Sequence, residues 1–385
     1  MSAMELIPLD YPTLRLIWWL LLGVLLIGFA VMDGFDLGTG TLLPFVARTD
    51  DERRIVVNTV GPVWEGNQVW LILGGGAIFA AWPPLYAVSF SGFYLAMFLL
   101  LAALILRPVG FKFRSKVGDS RWRTFWDWGL FVGGAVPALI TGVAVGNVLL
   151  GVPFYFSDDL RPFYDGGLLG LLNPFALLCG LVSLSMLILH GATWLSFKTE
   201  APVAERARRY GSFAALATLA LFALAGLAVA YWVEGYVLVS QVVQDGPSNP
   251  LRKEVATVVG GWLSNYDAYP WMLTGPILGF GGVALAGLLL LVRRPLLAFF
   301  ASALGIFGII STAGLSLFPF LLPSSQDPRS SLTVWDASSS PMTLWVMLIA
   351  TLFFMPIILA YTAWVYRIIA GKVTTRDLDS NVNAY

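Results

Sequence analysis

The stretch Gly61-Pro62-Val63-Trp64-Glu65-Gly66-Asn67-Gln68-Val69-Trp70 places an acid inside a long apolar run. That run, residues 55–81, is long and apolar enough to cross a bilayer as a helix. A charge in the middle of a bilayer costs roughly 3 kcal/mol, so Glu65 there needs a partner, a bound proton or a polar cavity. On helical spacing, one narrow face carries Asn58, Gly61, Glu65 and Gln68. The sequence therefore predicts a polar stripe in a membrane helix, and the alternative is a surface loop with an incidental glutamate.

The composition of the chain is that of a membrane protein. Hydrophobic residues make up 58% of its 385 residues and charged residues 12%, where a soluble domain has about 25% charged residues. Mean hydropathy is +0.78. These values predict an all-α polytopic integral membrane protein in contact with the lipid bilayer. The formal net charge is zero, which leaves no basic surface for nucleic acid.

Two rare residue types limit the chemistry of the chain. The single cysteine, Cys179, excludes an intramolecular disulfide and sits in an apolar run. The single histidine, His190, cannot serve as axial ligand for several haems. A packed structural histidine is the favoured interpretation of His190, and a ligand or a proton relay is the alternative. The sequence also contains no phosphate-binding glycine loop, HExxH, CxxC or nucleophile elbow, so soluble-enzyme chemistry has no residues to act through.

Apolar windows of about 20 residues predict nine membrane spans within a single membrane domain, residues 1–385. The predicted helices are 14–35, 55–81, 86–106, 124–150, 168–195, 209–233, 270–292, 297–322 and 342–368. The first span has no basic segment before it and no cleavage site after it, so we expect it to be retained. The second span is the uncertain one, and without it the count is eight.

The distribution of positive charge favours nine spans over eight. The chain has 23 Lys and Arg residues, and both topologies collect most of them on one side. The nine-span division does so more cleanly, as the positive-inside tendency requires. It predicts an N-terminus on the outer side of a bacterial inner membrane and a C-terminus in the cytoplasm. The polar stripe with Glu65 would then open towards the cytoplasm.

Three charged residues far apart in the sequence reach one membrane boundary in this topology. Asp36 follows the first span, Arg107 closes the third and Asp127 opens the fourth. An arginine between two carboxylates in a poorly solvated place forms strong, bidentate contacts. We expect Arg107 to pair with Asp36 and Asp127 as a clasp that holds the first four helices in register, with a direct catalytic role as the alternative.

Ordered short motifs along nearly the whole chain resemble subunit II of the cytochrome bd quinol oxidase family. They include Trp18-Trp19, Gly28-Phe-Ala-Val-Met-Asp-Gly-Phe-Asp36, Glu52-Arg-Arg-Ile, Trp64-Glu-Gly-Asn-Gln-Val-Trp70, Phe79-Ala-Ala-Trp-Pro, Arg107-Pro-Val-Gly-Phe, Arg121-Trp-Arg, Trp126-Asp-Trp-Gly, Leu172-Asn-Pro-Phe, Ser248-Asn-Pro-Leu, Phe318-Pro-Phe and Trp335-Asp-Ala. No single motif is specific, but so many in order are.

The resemblance implies a subunit of a respiratory terminal oxidase that oxidises quinol and reduces dioxygen to water. In that family the b-type haems and haem d belong to a partner, subunit I, which agrees with the ligand-poor composition of this chain. The resemblance further implies nine helices in two four-helix bundles plus a peripheral helix. It leaves open small single-helix accessory subunits, the quinone type and a structural quinone in this chain.

The resemblance also assigns roles to individual residues. The acid matching Glu65 is implicated in a proton path from the cytoplasm to the oxygen site. The residues matching Trp64, Asp36, Arg107 and Asp127 are implicated in keeping the haem-bearing assembly intact. The sequence departs from the family pattern in having Glu65 where Asp is familiar, which keeps the acid but lengthens its reach.

Two other classes of function also fit parts of the sequence. A secondary transporter would explain nine spans, an intramembrane acid and Pro-interrupted helices, but it predicts an internal repeat and a substrate site at mid-membrane. Neither is visible in the sequence. A pure assembly scaffold would explain the lack of ligands and predicts that Glu65 tolerates replacement by Gln.

Overall fold

The computed structural model describes residues 7–376 as a helical protein with three small antiparallel strand pairs. The helices are α1 (Tyr11–Met32), α2 (Gly34–Val46), α3 (Asp50–Val60), α4 (Trp64–Ala81), α5 (Pro83–Gly92), α6 (Tyr94–Leu104), α7 (Leu106–Phe113), α8 (Ser120–Leu150), α9 (Leu168–Leu171), α10 (Pro174–Lys198), α11 (Val203–Tyr231), α12 (Ser264–Ala268), α13 (Thr274–Leu291), α14 (Pro295–Leu317) and α15 (Pro341–Ile368). The strands are β1 (Phe154–Phe156), β2 (Pro162–Tyr164), β3 (Glu234–Leu238), β4 (Val255–Val259), β5 (Phe320–Leu322) and β6 (Leu332–Thr333). The predicted single domain also includes residues 1–6 and 377–385, which lie outside the described residues.

The helices run between two ends of the molecule. One end, which we call the basic end, holds the short connections 47–49, 114–119, 199–202 and 292–294 and residues 369–376. The opposite end holds the longer connections 151–173, 232–273 and 318–340, where the strands pair as β1–β2, β3–β4 and β5–β6. The described chain passes between these ends nine times. The prediction of an all-α polytopic protein is confirmed.

Eight helical segments of the described chain are long and apolar enough to cross a membrane. The second pass is not among them, and it consists of two helices, α3 and α4, separated at Gly61-Pro62-Val63. Pro62 has no N–H to continue the helix, and Val63 leaves helical geometry with φ −124°. The predicted unbroken helix over 55–81 is therefore wrong, and with it the continuous polar stripe.

The first and third passes also differ from the predicted spans. The first helix does not end near residue 35 but continues through Asp33 into α2 as far as Val46. The third pass, predicted as 86–106, consists of α5, α6 and α7 and ends at Phe113. Both differences extend the chain towards the basic end. As a result, Asp36 and Arg107 lie inside the helical bundle and not at its boundary.

The nine passes group as two four-helix bundles and one peripheral helix. The first bundle holds α1–α2, α3–α4, α5–α7 and α8, and the second holds α10, α11, α13 and α14. Glycines allow the close approach of α2 to α8 and α10: a β-carbon on Gly38 or Gly134 would collide with the backbone of the neighbouring helix. Helix α15 lies at the edge and buries only Leu344 and Leu348 in its own span.

A buried ion pair ties two connections together at the opposite end. The ammonium of Lys253 lies 2.8 Å from Asp336, and both side chains are almost fully buried. Burial lowers the pKa of Lys253, and the negative charge of Asp336 opposes that shift. Nearby, the indole N–H of Trp262 donates to the carbonyl of Leu149, 2.9 Å away. These contacts fix the long connections onto the ends of the helices.

Candidate functional site

Two aspartates and one arginine form a buried ion cluster in the first bundle. Arg107 on α7 donates two hydrogen bonds to Asp33, at 2.9 and 2.6 Å, and lies 3.8 Å from Asp36. All three side chains are at most 2% exposed. The predicted contact between Arg107 and Asp36 is present, but Asp33, at the junction of α1 and α2, is the stronger partner. Asp33 is in the sequence motif that ends at Asp36, and its spacing of three residues on a helix was the signal that could have found it.

Asp127 belongs to a separate cluster, so the predicted contact of Arg107 with Asp127 is wrong. Asp127 accepts from Arg114 at 2.5 Å and from Arg53 at 2.7 Å. Arg114 also donates to Asp50, which in turn binds Arg123. The reason for the difference is depth. Arg107 packs beside Gly133 on α8, which is six residues, or about 9 Å, farther from the basic end than Asp127.

A polar chain extends from the ion cluster to the peripheral helix. The amide of Asn67 on α4 donates to Asp36 at 2.8 Å, and the hydroxyl of Tyr366 on α15 donates to the amide oxygen of Asn67 at 2.8 Å. The other carboxylate oxygen of Asp36, Oδ1, is buried and has no hydrogen-bond partner among the described residues. Helical spacing from Glu65 predicted Asn58 and Gln68 as the polar partners and did not predict Asn67, which is 2% exposed.

Glu65 lies on the outer surface of the chain, so the prediction that it is a buried acid within this chain is wrong. Its carboxylate is 3.4 Å from the ammonium of Lys112, and the two side chains are 66% and 56% exposed. The break before α4 places Asn58 on a different helix, where its side-chain amide donates to the carbonyl of Arg54. Gln68 remains on α4, one turn beyond Glu65, and is partly buried.

Trp64 connects the buried cluster to the packing around it. Its ring is 5% exposed and lies 6.0 Å from the guanidinium carbon of Arg107. It also packs against Phe111 with ring centroids 5.6 Å apart. The Trp64 indole nitrogen is buried without a hydrogen-bond partner among the described residues. Trp64 therefore holds α4 against the face of α7 that carries Arg107.

His190 is held on both sides by hydrogen bonds and does not offer a free nitrogen to a metal. Its Nδ1 lies 2.7 Å from the hydroxyl of Ser302, and its Nε2 lies 3.0 Å from the carbonyl of Val31. The ring is fully buried and stacks on Phe299 at 4.6 Å. Across residues 7–376 no group of three or more His, Cys, Asp or Glu side chains could hold a metal ion. His190 therefore has no ring nitrogen available as a haem ligand.

The sequence as a whole matches one known family. The profile of "Cytochrome bd terminal oxidase subunit II" covers residues 14–369, which is nearly all of the chain. The chain belongs to the cytochrome bd terminal oxidase subunit II family. The resemblance inferred from the short motifs is thereby confirmed, and the alternative of a secondary transporter is set aside.

Individual subunit II relatives match over nearly their full length. The chain is 50% identical to "Cytochrome bd-I ubiquinol oxidase subunit 2" of Escherichia coli K12 over 376 residues, which are 98% of this chain and 99% of the relative. It is 50% identical to "Probable cytochrome oxidase subunit 2" of Haemophilus influenzae, covering 97% of this chain and 98% of that protein. Identity to the "Cytochrome bd ubiquinol oxidase subunit 2" of Bacillus subtilis is 30%, over 94% of this chain and 97% of that protein.

A solved bd oxidase structure has the same fold as this subunit II. A chain in "The structure of bd oxidase from Geobacillus thermodenitrificans" superposes with a TM-score of 0.69 and 17% identity, covering 93% of this chain and 99% of that chain. At this identity the likeness shows the fold alone.

Membership of the family identifies the chain as a subunit of a respiratory terminal oxidase, whose complex is a quinol oxidase. It is a multi-pass inner-membrane protein. Membership of the family also implies haem cofactors in the complex and a partner subunit, subunit I.

Proposed function

We propose that this chain is the haem-free subunit of the oxidase and that subunit I holds the b-type haems and haem d. The support is the state of His190, the single histidine of the sequence, because both of its ring nitrogens are already engaged by Ser302 and Val31. Haem iron in proteins needs an axial His, Met, Cys or Tyr ligand in an open position. Histidine ligands for a set of haems therefore have to come from another subunit.

Subunit I covers the face of α4 that carries Glu65. This face holds the exposed apolar residues Val69, Ile72 and Phe79 at helical spacing from Glu65. A carboxylate on an otherwise apolar membrane face is costly in contact with lipid and needs a polar or protein environment. The position of Glu65 on this uncovered face is the observation that carries the proposal.

Glu65 passes protons towards the oxygen site in subunit I. Each dioxygen reduced to water consumes four protons, so a subunit without redox ligands can still take part in the reaction by delivering them. A carboxylate transfers protons when it is within hydrogen-bond or single-water reach of its partners. The ammonium of Lys112, 3.4 Å from the Glu65 carboxylate, lies within single-water reach of it.

The buried residues behind Glu65 support the haem-bearing assembly. Arg107 fixes the α1–α2 junction through Asp33 and Asp36, and Trp64 packs against Arg107. Asp127 holds the basic end of α8 through Arg114 and Arg53. Together these contacts set the position of the α4 face against which subunit I packs.

The proposed orientation places the basic end in the cytoplasm. Arginine and lysine residues are concentrated in the connections of that end, which the positive-inside tendency assigns to the cytoplasmic side. The N-terminal side of α1 then faces outside and the C-terminal side of α15 faces the cytoplasm. Small accessory subunits fit the exposed edge beside α15, whose span is only 11% buried.

Co-purification tests the proposed division of labour. The chain is affinity-tagged and purified once with its genomic partner subunit and once expressed alone, and the haem spectrum of each sample is recorded. We expect b- and d-type absorbance only where subunit I is present. Stoichiometric haem bound to the chain alone would contradict the proposal.

A further inference from the structure

A charged cleft at the basic end has no role in the proposed oxidase function. It has a volume of about 390 Å³ and lies between the start of α11, the turn that joins α13 to α14, and the chain after α15. Its charged lining residues are Glu200, Glu205, Arg208, Arg293 and Lys372. We call it the α11–α14 cleft.

The cleft has cations without protein partners. Within residues 7–376, neither Arg293 nor Lys372 forms an ion pair, whereas Arg208 pairs with Glu205 at 3.6 Å. Glu200 makes no ion pair within the same residues, so the lining carries a net charge of about +1. An anion with one negative charge balances this lining.

Arg293 occupies a backbone position that an arginine rarely takes. Arg293 lies between the end of α13 and the start of α14, and its φ is +59°. This is the left-handed region, which glycine adopts readily and other residues adopt uncommonly. The backbone N–H groups of Arg293 and Arg294 donate to the carbonyls of Leu290 and Leu289, which closes α13 without use of either side chain. The Arg293 side chain is thereby left to project into the cleft.

Two helix starts border the same cleft. Helix α11 begins at Val203 and α14 at Pro295, and neither start receives a hydrogen bond from a capping side chain. The first turn of a helix presents backbone N–H groups and a partial positive charge, which favour an anion. Both backbone and side-chain groups of the cleft are therefore suited to a phosphate.

An apolar flank adjoins the charged lining. Leu291, Val292, Leu296 and Leu297, on either side of Arg293, are between 44% and 68% exposed. Inorganic phosphate makes no favourable contact with an apolar surface, whereas the acyl chains of a phospholipid would cover it. Basic pockets between membrane helices at the cytoplasmic side commonly bind anionic lipid headgroups.

We propose that the α11–α14 cleft binds an anionic phospholipid, with its phosphate between Arg293 and Lys372 and its acyl chains along the apolar flank. The site is separate from the Glu65 face and does not depend on the proton role of Glu65. Glu200 disfavours the anion and sets the affinity below that of a purely cationic site.

Lipid titration of the intact, delipidated oxidase complex tests the site. Native mass spectrometry counts bound phosphatidylglycerol for wild type, for the double variant Arg293→Ala/Lys372→Ala and for the matched control Arg161→Ala/Arg252→Ala at the opposite end. At about 1 kcal/mol per cation near the membrane surface, the first double variant should bind roughly thirtyfold more weakly at one site. The control should bind as wild type does. Wild-type binding by the first variant, or an equal loss in the control, overturns the proposal.

Two further measurements test whether the bound group is an anion and whether it is a phospholipid or free inorganic phosphate. Glu200→Gln should tighten phosphatidylglycerol binding, and weaker binding would show that the cleft takes a cationic group instead. Inorganic phosphate at 10 mM, about the physiological order, should not displace the lipid. Displacement by inorganic phosphate would make the cleft a free-phosphate site and overturn the lipid proposal.

Discussion

Helices α4 and α7 each carry two polar residues that face in opposite directions. Towards the core, Asn67 and Arg107 bind the aspartates at the α1–α2 junction. Towards the outside, Glu65 and Lys112 form a pair that is more than half exposed. The same two helices thus present a closed ion cluster to their own bundle and an open acid–base pair to a partner. The inner site is suited to holding structure, and the outer site to exchanging protons.

The largest effect should come from breaking the inner site. Arg107→Ala leaves Asp33 and Asp36 buried without their counter-charge, a loss on the order of 3–5 kcal/mol. We expect little assembled complex and low haem content in purified membranes, measured as haem absorbance per milligram of membrane protein. Lys112→Ala on the same helix is the control and should assemble normally. A full amount of haem-loaded Arg107→Ala complex would mean that the inner and outer sites do not differ in role.

The outer site should respond in turnover and not in assembly. Glu65→Gln keeps size and hydrogen bonding but cannot ionise, so oxygen consumption per haem d should fall at least about tenfold while the haem spectrum stays normal. Glu65→Asp keeps the acid and should retain substantial activity. If Glu65→Gln matches wild type from pH 6 to 8, the scaffold function replaces the proton role.

The sequence predicted the outer acid but not which way it faces. The apolar run and the motif around Glu65 predicted a charged residue in a membrane helix, and in the structure Glu65 lies in the first turn of α4. Its direction depends on the break at Gly61-Pro62-Val63, since Val63 leaves helical geometry and changes the angular register between α3 and α4. Because the helix is interrupted at Pro62, regular helical spacing cannot predict which residues of α3 and α4 lie on the same face.

The sequence also predicted a charged cluster around Arg107 but not its members. The fall in hydropathy predicted the end of the first helix near residue 35. In the structure the helical segment continues to Val46, and Arg107 lies against both Asp33 and Asp36 within it. A polar residue lowers the mean hydropathy of a sequence window and so ends the predicted helix. This happens even when a residue far away in the sequence pairs with the polar side chain and allows it to be buried. The pairing of Asp127 with Arg114, 13 residues away, was visible only once the depth of each helix was known.

The substitution Asp127→Asn tests the second ion cluster, at the basic end, against the inner site around Arg107. Asp127→Asn removes a carboxylate from Arg114, but Arg114 keeps Asp50 at 2.9 Å, and Asp50 is 37% exposed to solvent. The loss should be smaller than for Arg107→Ala, roughly 1–3 kcal/mol, because Arg114 stays partnered by Asp50 and Arg53, which also loses Asp127, is 25% exposed to solvent. We expect an assembled complex with a lowered thermal midpoint. Asp127→Asn that fails to assemble while Arg107→Ala assembles would reverse the order of the two clusters.

The smallest effect should come from Glu52, whose charge lies at the basic end outside the membrane-spanning helices. Hydrogen bonds from Arg206, at 2.8 and 2.9 Å, lower the pKa of Glu52 from 4.5 to about 2. A carboxyl whose pKa is lower in the folded state stabilises the fold above its unfolded pKa. That contribution is lost as pH falls from about 4.5 towards 2.

Glu52→Gln isolates this charge, because an amide oxygen can still accept the backbone N–H bonds of the capping box with Thr49. The variant complex should have a slightly lower thermal midpoint than wild type at pH 7, by less than about 1 kcal/mol of stability. The difference should narrow as pH falls below about 4.5, since the wild-type carboxyl then also loses its charge. Asp159→Asn, which removes a carboxylate paired with exposed Arg161, is the control and should show no such narrowing. A difference that stays constant from pH 7 down to pH 3, inside the range between the unfolded and folded pKa of Glu52, would assign its effect to the helix cap and not to its ion pair with Arg206.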